Sequence, residues 1–343
     1  MLRREFVGGA LAFALRRDRL DAAFAILDKA VASGYFSAAA LHVKQGTSEV
    51  SRGFGKAQSP DTPFLLASIT KPMTVTAVMI LSDRDKLKLS DPVRKFIPEF
   101  QGGDRDLITI KHLLTHSSGL PDMLPENEEL RKRHAPLKDF VAGTCKVKLL
   151  FKPGAEVKYQ SMGLLLAGEI VERVSKTSLR DFLRKEVYQP LKMTQTSLGL
   201  GGRAIAATAQ CQVADEDWGW NSLYWRDFGS PWGGAHAGAA DVAKFLRAFL
   251  DPPTRILKPE TAAAMVTNQV EGLNQPWGLG WMVKPGGFGS GCSPRTFGHS
   301  GSTGTLSWAD PVKGLTFVLL TTLPAADDKQ KVSKAVSDAI SES

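Results

Sequence analysis

Ser68-Ile69-Thr70-Lys71 is the only Ser-x-x-Lys in the 343-residue chain. A serine hydroxyl is a poor nucleophile until a base removes its proton. Three apart on a helix, serine and lysine share one face, a turn apart. The free N–H groups and positive dipole end of a helix start also favour negative charge developing on the serine oxygen. Lysine serves as a base only where burial or a cationic neighbour lowers its pKa. Phe64-Leu65-Leu66-Ala67 before the motif, with Met73 and Val75 after it, supply an apolar setting of that kind. The competing reading is a helix N-cap with a surface lysine.

Two other patterns could complete a site. Tyr159-Gln160-Ser161 sits between Phe151-Lys152-Pro153-Gly154 and the helical pattern of Gly163–Val174. A tyrosine presented from a loop can relay a proton to a leaving group. Tyr35-Phe36-Ser37 has the same form, so the tripeptide alone is weak. His299-Ser300-Gly301-Ser302 opens the strand-like run Gly304–Ala309. A glycine at a strand edge lets backbone approach a substrate and offers an N–H to an oxyanion. His236-Ala237-Gly238 is a rival, but it precedes a helical pattern. A cluster of Trp218, Trp220, Trp225 and Trp232, with Tyr224 and Phe228, is interleaved with glycine, serine and aspartate and reads as a long loop. Either it packs on the core, or Trp220 and Trp225 wall the site against an apolar substrate group.

The elements that must position these residues follow from periodicity. Ala38–Lys44 and Glu49–Phe54 around Gln45-Gly46-Thr47-Ser48 read as a hairpin. The run from Ser68 to about Lys86 reads as a buried helix with Pro72 in its first turn, where a missing N–H costs nothing. Gly163–Val174 and Ala239–Leu250 are the clearest helices of a middle region. Strands at Gly278–Val283, Gly304–Ala309 and Leu315–Leu323 follow, then a helix near Lys329–Ile340. Asp310-Pro311-Val312-Lys313-Gly314 is too short for a crossover, so the sheet is expected to be antiparallel. The expected class is α+β: a discontinuous antiparallel-sheet domain with flanking helices (20–86 and 251–343) and an inserted, mainly helical domain (87–250). Residues 1–19 read as a twin-arginine-like export signal around Arg3-Arg4 or as an N-terminal helix.

Composition narrows the chemistry. With 43% hydrophobic and 23% charged residues the chain is of ordinary globular type. The net charge of +8 is not clustered: Arg16-Arg17-Asp18-Arg19 and Arg131-Lys132-Arg133-His134 are short and lie beside acids. That is a solvated surface and not a nucleic-acid footprint. Cys145, Cys211 and Cys292 share no CxxC spacing, and His112 and His116 have no carboxylate between them, so neither a disulfide framework nor a metal site is read. No apolar run is long enough for a transmembrane segment.

In this order, the helix-start Ser-x-x-Lys, loop Tyr-x-Ser and strand-edge His-x-Gly resemble the serine β-lactamase and penicillin-binding-protein superfamily. Leu113-Leu114-Thr115-His116-Ser117-Ser118-Gly119-Leu120, Phe151–Ser161, Tyr188-Gln189-Pro190-Leu191-Lys192-Met193 and Phe297–Pro311 extend the similarity over roughly 20–340. The chain is most similar to the class C β-lactamase-like branch, which includes family VIII carboxylesterases and D-aminopeptidases. The resemblance implies Ser68 as acyl-forming nucleophile, Lys71 with Tyr159 as its base, and the backbone N–H groups of Ser68 and Ser302 as oxyanion hole. His299 stands where lactamases usually carry lysine, and Ser161 where asparagine usually helps hold the substrate amide. Trp232-Gly233-Gly234 matches a strand tripeptide of some family VIII esterases but lies before a helical pattern, and is read as coincidental. Neutral histidine offers no fixed cation to a β-lactam or peptide carboxylate, and serine is shorter than asparagine. The expectation is therefore a cofactor-independent carboxylesterase acting on small short-chain esters. A β-lactamase or D-aminopeptidase/DD-peptidase is the alternative, and a non-catalytic peptidoglycan- or peptide-binding relative the alternative of another class.

Overall fold

The computed structural model describes residues 15–250, 256–325 and 330–342. The Arg3-Arg4 export signal and the first residues of the helix expected near Lys329 lie outside them. The chain enters through the helix Arg17–Ala32 and then forms strands β1 (Ala38–Gln45) and β2 (Ser48–Gly55), paired from Ala38↔Gly55 to Gln45↔Ser48. Two short strands, β3 (Phe64–Leu65) and β4 (Ser197–Leu198), flank β5 (Ala235–Ala237) in a small sheet of order β3-β5-β4. Near the C-terminus come β6 (Phe297–Gly301), β7 (Thr305–Asp310) and β8 (Leu315–Thr321). They complete an antiparallel five-stranded sheet of order β2-β1-β8-β7-β6, so β6 is an edge. An antiparallel sheet with helices packed against it makes the fold α+β.

Alternation along β1 and β8 divides the core in two. Ala39, Leu41 and Val43 with Leu315, Phe317 and Leu319 meet the helices Arg17–Ala32 and Lys331–Ser341 on one face. Ala38 and Ala40 with Val318 and Leu320 face the larger core, which holds the helices Thr70–Asp83, Met162–Ser175 and Ala239–Leu250. Twelve consecutive residues from Thr70 to Leu81 are buried, so the Thr70–Asp83 helix is enclosed on all sides and not amphipathic. Among the described residues no helix is long and apolar enough to cross a membrane.

Several local expectations need correcting. Gly278–Val283 is not a strand: Gly278 N–H bonds Trp281 O at 2.9 Å, which closes a turn and leaves only a Met282↔Gly298 bridge. His299 does not open β7 but lies within β6, pairing Ser307. The tryptophan-rich segment contains a helix, Leu223–Phe228, started by Ser222 Oγ accepting from Trp225 N at 3.1 Å and ended by Gly229 at φ 67°. His236 belongs to β5 and precedes the Ala239–Leu250 helix, but it is paired on both sides and offers no strand edge.

Candidate active site

The site lies where the small sheet, the edge strand β6 and the Thr70–Asp83 helix converge. After β3 the chain tightens into a 3₁₀ turn, Ala67–Ile69, that runs into that helix. Ala67 takes φ 47°, a left-handed conformation that costs a non-glycine residue about 1 kcal/mol. This bend leaves Ser68 half-exposed while its neighbours Ala67 and Ile69 are buried.

Lys71 Nζ donates to Ser68 Oγ at 3.0 Å and to the Trp232 carbonyl at 3.0 Å. It also lies 4.7 Å from the centre of the Tyr159 ring. The lysine side chain is 1% exposed, and that burial drives its pKa from 10.5 down to about 7. Nearby Asp122 pulls in the other direction. Tyr159 behaves oppositely: burial raises its phenol, against a lowering hydrogen bond with Ser68. At neutral pH the pair therefore consists of an amine able to accept a proton and a phenol that keeps its own.

Tyr159 is held through the residue after it. Gln160 N–H donates to His116 Nδ1 at 3.2 Å, its amide nitrogen donates to the His112 carbonyl at 3.3 Å, and its amide oxygen accepts from Ser118 Oγ at 2.5 Å. The Leu113–Leu120 stretch is thus a cradle for a buried glutamine, which fixes the adjoining tyrosine. His116 lies against Tyr159, with ring centres 4.8 Å apart, and edge-on to Trp277 at 4.6 Å. Because its Nδ1 accepts, its proton sits on Nε2.

Ser161 is 1% exposed and donates through Oγ to Asp122 Oδ1 at 2.6 Å, which leaves the Asp122 side chain as the exposed member of the pair. His299 is buried, its Nδ1–H donating to the Ser300 carbonyl at 2.7 Å, and burial pushes its pKa down to about 3. It is neutral at pH 7, with the Nε2 lone pair free of a protein partner. Gly301 passes close to the turn that carries Ser68: a Cβ there would lie 2.3 Å from Leu66 O and 3.2 Å from Ala67 Cβ. That approach brings the β6 end, with exposed Ser302 next along the chain, beside the turn that carries Ser68.

Ser68, Lys71, Tyr159, Ser161, His299 and Gly301 are therefore brought to one region. Trp225 is buried instead against Phe228, with ring centres 5.4 Å apart, and under the Arg131 guanidinium at 3.9 Å. Trp220 is partly buried at the core margin, its carbonyl accepting from Arg226 Nε at 2.6 Å. The rings that line the site around Tyr159 are His116, Trp277 and His299. Sequence reading missed Asp122, Trp277 and the backbone carbonyl of Trp232, which accepts from the lysine although Trp232-Gly233-Gly234 itself lies in a turn and not in a strand. Asp122 lies two residues past the Leu113–Leu120 stretch, which was the one available signal.

Among known proteins, the Beta-lactamase family model matches residues 23–339. Protein flp of Staphylococcus aureus (strain COL) is 32% identical over 170 residues, covering 47% of this chain. The match spans only 34% of the length of that curated relative. Among solved structures, EstCE1, described as a hydrolase with promiscuous acyltransferase activity, superposes with a TM-score of 0.79 at 20% identity, covering 95% of this chain and 99% of that one. A D-stereospecific amidohydrolase from Streptomyces sp. gives 0.71 at 24% identity, covering 91% and 97%. At these identities the structural likeness concerns the fold.

Proposed function

Because the chain belongs to the Beta-lactamase family, we propose that it is a serine hydrolase working through an acyl-enzyme, with short-chain neutral esters as its preferred substrates. The observation that carries this reading is the 3.0 Å contact between Ser68 Oγ and a fully buried Lys71 amine whose pKa falls to about 7. Ser68 Oγ attacks the ester carbonyl carbon while its proton passes to Lys71 Nζ. The carbonyl oxygen becomes an oxyanion facing the N–H groups of Ser68 and Ser302. Collapse breaks the bond to the leaving alkoxide, which takes the Tyr159 proton, and the Lys71 ammonium restores the phenol. Water then loses its proton to the same pair, adds to the acyl carbon and releases the acid, regenerating Ser68. Each step needs only these side chains, the backbone and water.

The raised phenol and lowered amine support Lys71 as the base and Tyr159 as the proton relay, since a phenolate would be scarce at pH 7. Neutral His299 supports esters over β-lactams, because it provides no cation for the carboxylate those substrates carry. A phosphonate pulse followed by intact mass should give one adduct, on Ser68, and Ser68→Ala should lose both adduct and turnover while still folding. Retained turnover in that variant excludes the mechanism. Cephalosporin hydrolysis with kcat/KM well above that for p-nitrophenyl butyrate would reverse the substrate order.

A further inference from the structure

We propose that Asp122 makes this cleft select esters that carry an ammonium group and disfavour those that carry a carboxylate. The inference rests on the ester-hydrolase reading above and deepens it. Asp122 is exposed, yet it is tied to the site by Ser161, which donates to it through Oγ at 2.6 Å and through its backbone N–H to the Asp122 carbonyl at 3.3 Å. Ser161 follows Tyr159 by two residues and is itself buried, so the exposed carboxylate is anchored to the segment that carries the relay. Its charge is felt at both Lys71 and Tyr159, which locates it within electrostatic reach of the reacting atoms.

Of the groups around it, Ser161 contributes a hydroxyl, His116 and His299 are held neutral by burial, and the Lys71 amine, which feels the Asp122 charge, is neutral in the form that accepts the serine proton. A carboxylate with one oxygen ordered by a buried serine keeps lone pairs for a substrate ammonium, and a charge-assisted bond there is stronger than a neutral one. A substrate carboxylate at the same place meets a like charge.

The test compares esters of matched shape: ethyl 4-aminobutyrate, ethyl valerate and monoethyl glutarate vary the acyl end, and butyrylcholine against 3,3-dimethylbutyl butyrate varies the leaving end. Wild-type protein is expected to show kcat/KM ratios, cation over neutral, of about three to ten in at least one series. Asp122→Asn, whose amide oxygen can still accept from Ser161, should bring that ratio to about one, and Asp122→Glu should restore part of it. High salt should also reduce the wild-type ratio. Ratios near one in wild type, or ratios unchanged in Asp122→Asn, overturn the inference while leaving the hydrolase intact. Absence of any ester turnover, with no adduct on Ser68, instead overturns the hydrolase reading and this inference with it.

Discussion

Two buried regions of the molecule treat their polar atoms in opposite ways. Beneath the terminal helices, the Trp308 indole N–H donates to Ser337 Oγ at 2.9 Å, which donates in turn to the Phe288 carbonyl at 2.7 Å. The same ring stacks on Phe317 with centres 5.1 Å apart. Around Tyr159, by contrast, Trp277 Nε1, His116 Nε2 and His299 Nε2 are buried without a protein partner, and a lysine is enclosed beside them. Buried groups left unsatisfied are costly. The first region is built for cohesion; in the proposed mechanism the second gives up part of its cohesion for reactivity.

Lys71 gives the sharpest way to break that contrast. Lys71→Met should reduce kcat/KM for p-nitrophenyl butyrate by at least about 10³-fold, since groups acting as a unit fail together. The same variant should melt higher. In the unfolded chain this lysine holds its proton up to about 10.5 but in the folded protein only up to about 7. Between those values the unfolded state binds more protons, so stability rises with pH. The penalty is complete below pH 7, and its removal should be worth of order 1 to 4 kcal/mol once the lost bond to Trp232 O is subtracted. The gain should shrink as pH approaches 10. A variant that melts lower at every pH would show that the lysine contributes to cohesion after all.

The pH dependence of the native protein comes next in size. In the proposed mechanism only neutral Lys71 can take the serine proton, so kcat/KM should climb about tenfold per unit below pH 7 and level off above it. His299 is already neutral well below that range and should add no inflection. A flat profile from pH 5 to 8 would remove the amine from the base role. On the opposite face, Ser337→Ala should lower stability by about 1 to 3 kcal/mol, because Trp308 Nε1 loses its acceptor in a dry core. Its kcat/KM for p-nitrophenyl butyrate should stay within about twofold of wild type, measured beside thermal melts.

What could be read from sequence divides along similar lines. The β1–β2 hairpin and the Met162–Ser175 and Ala239–Leu250 helices follow local periodicity, and local periodicity is written in neighbouring residues. Ser68 and Lys71 stand out because their interaction spans one helical turn. Asp122 and Trp277 do not, because Asp122 meets Ser161 across 39 positions and Trp277 meets Tyr159 across 118. The helix Leu223–Phe228 is marked by its Ser222 cap and Gly229 stop, but the glycine, serine and aspartate interleaved with its aromatic residues read as a loop. Gly278–Val283 looked like a strand because turn residues and apolar residues alternate there, and the pattern cannot reveal that Gly278 bonds back to Trp281.

Ala67 offers the finest adjustment of the contrast, since its strain belongs to the reactive region while its packing resembles the cohesive one. Its φ of 47° argues for glycine, whose relief should be worth roughly 1 kcal/mol. Glycine also loosens the unfolded chain by roughly 0.5 to 1 kcal/mol, which cancels most of that relief. The methyl group is buried and close to the path of Gly301, so it also helps fix the turn against β6. Ala67→Gly should therefore leave Tm within about 2 °C of wild type. Ser68 would gain rotational freedom, and kcat should fall by about two- to fivefold with little change in KM. A large drop in Tm with kcat unchanged would place Ala67 with Trp308 and Ser337, as a packing residue whose unusual backbone merely follows from its neighbours.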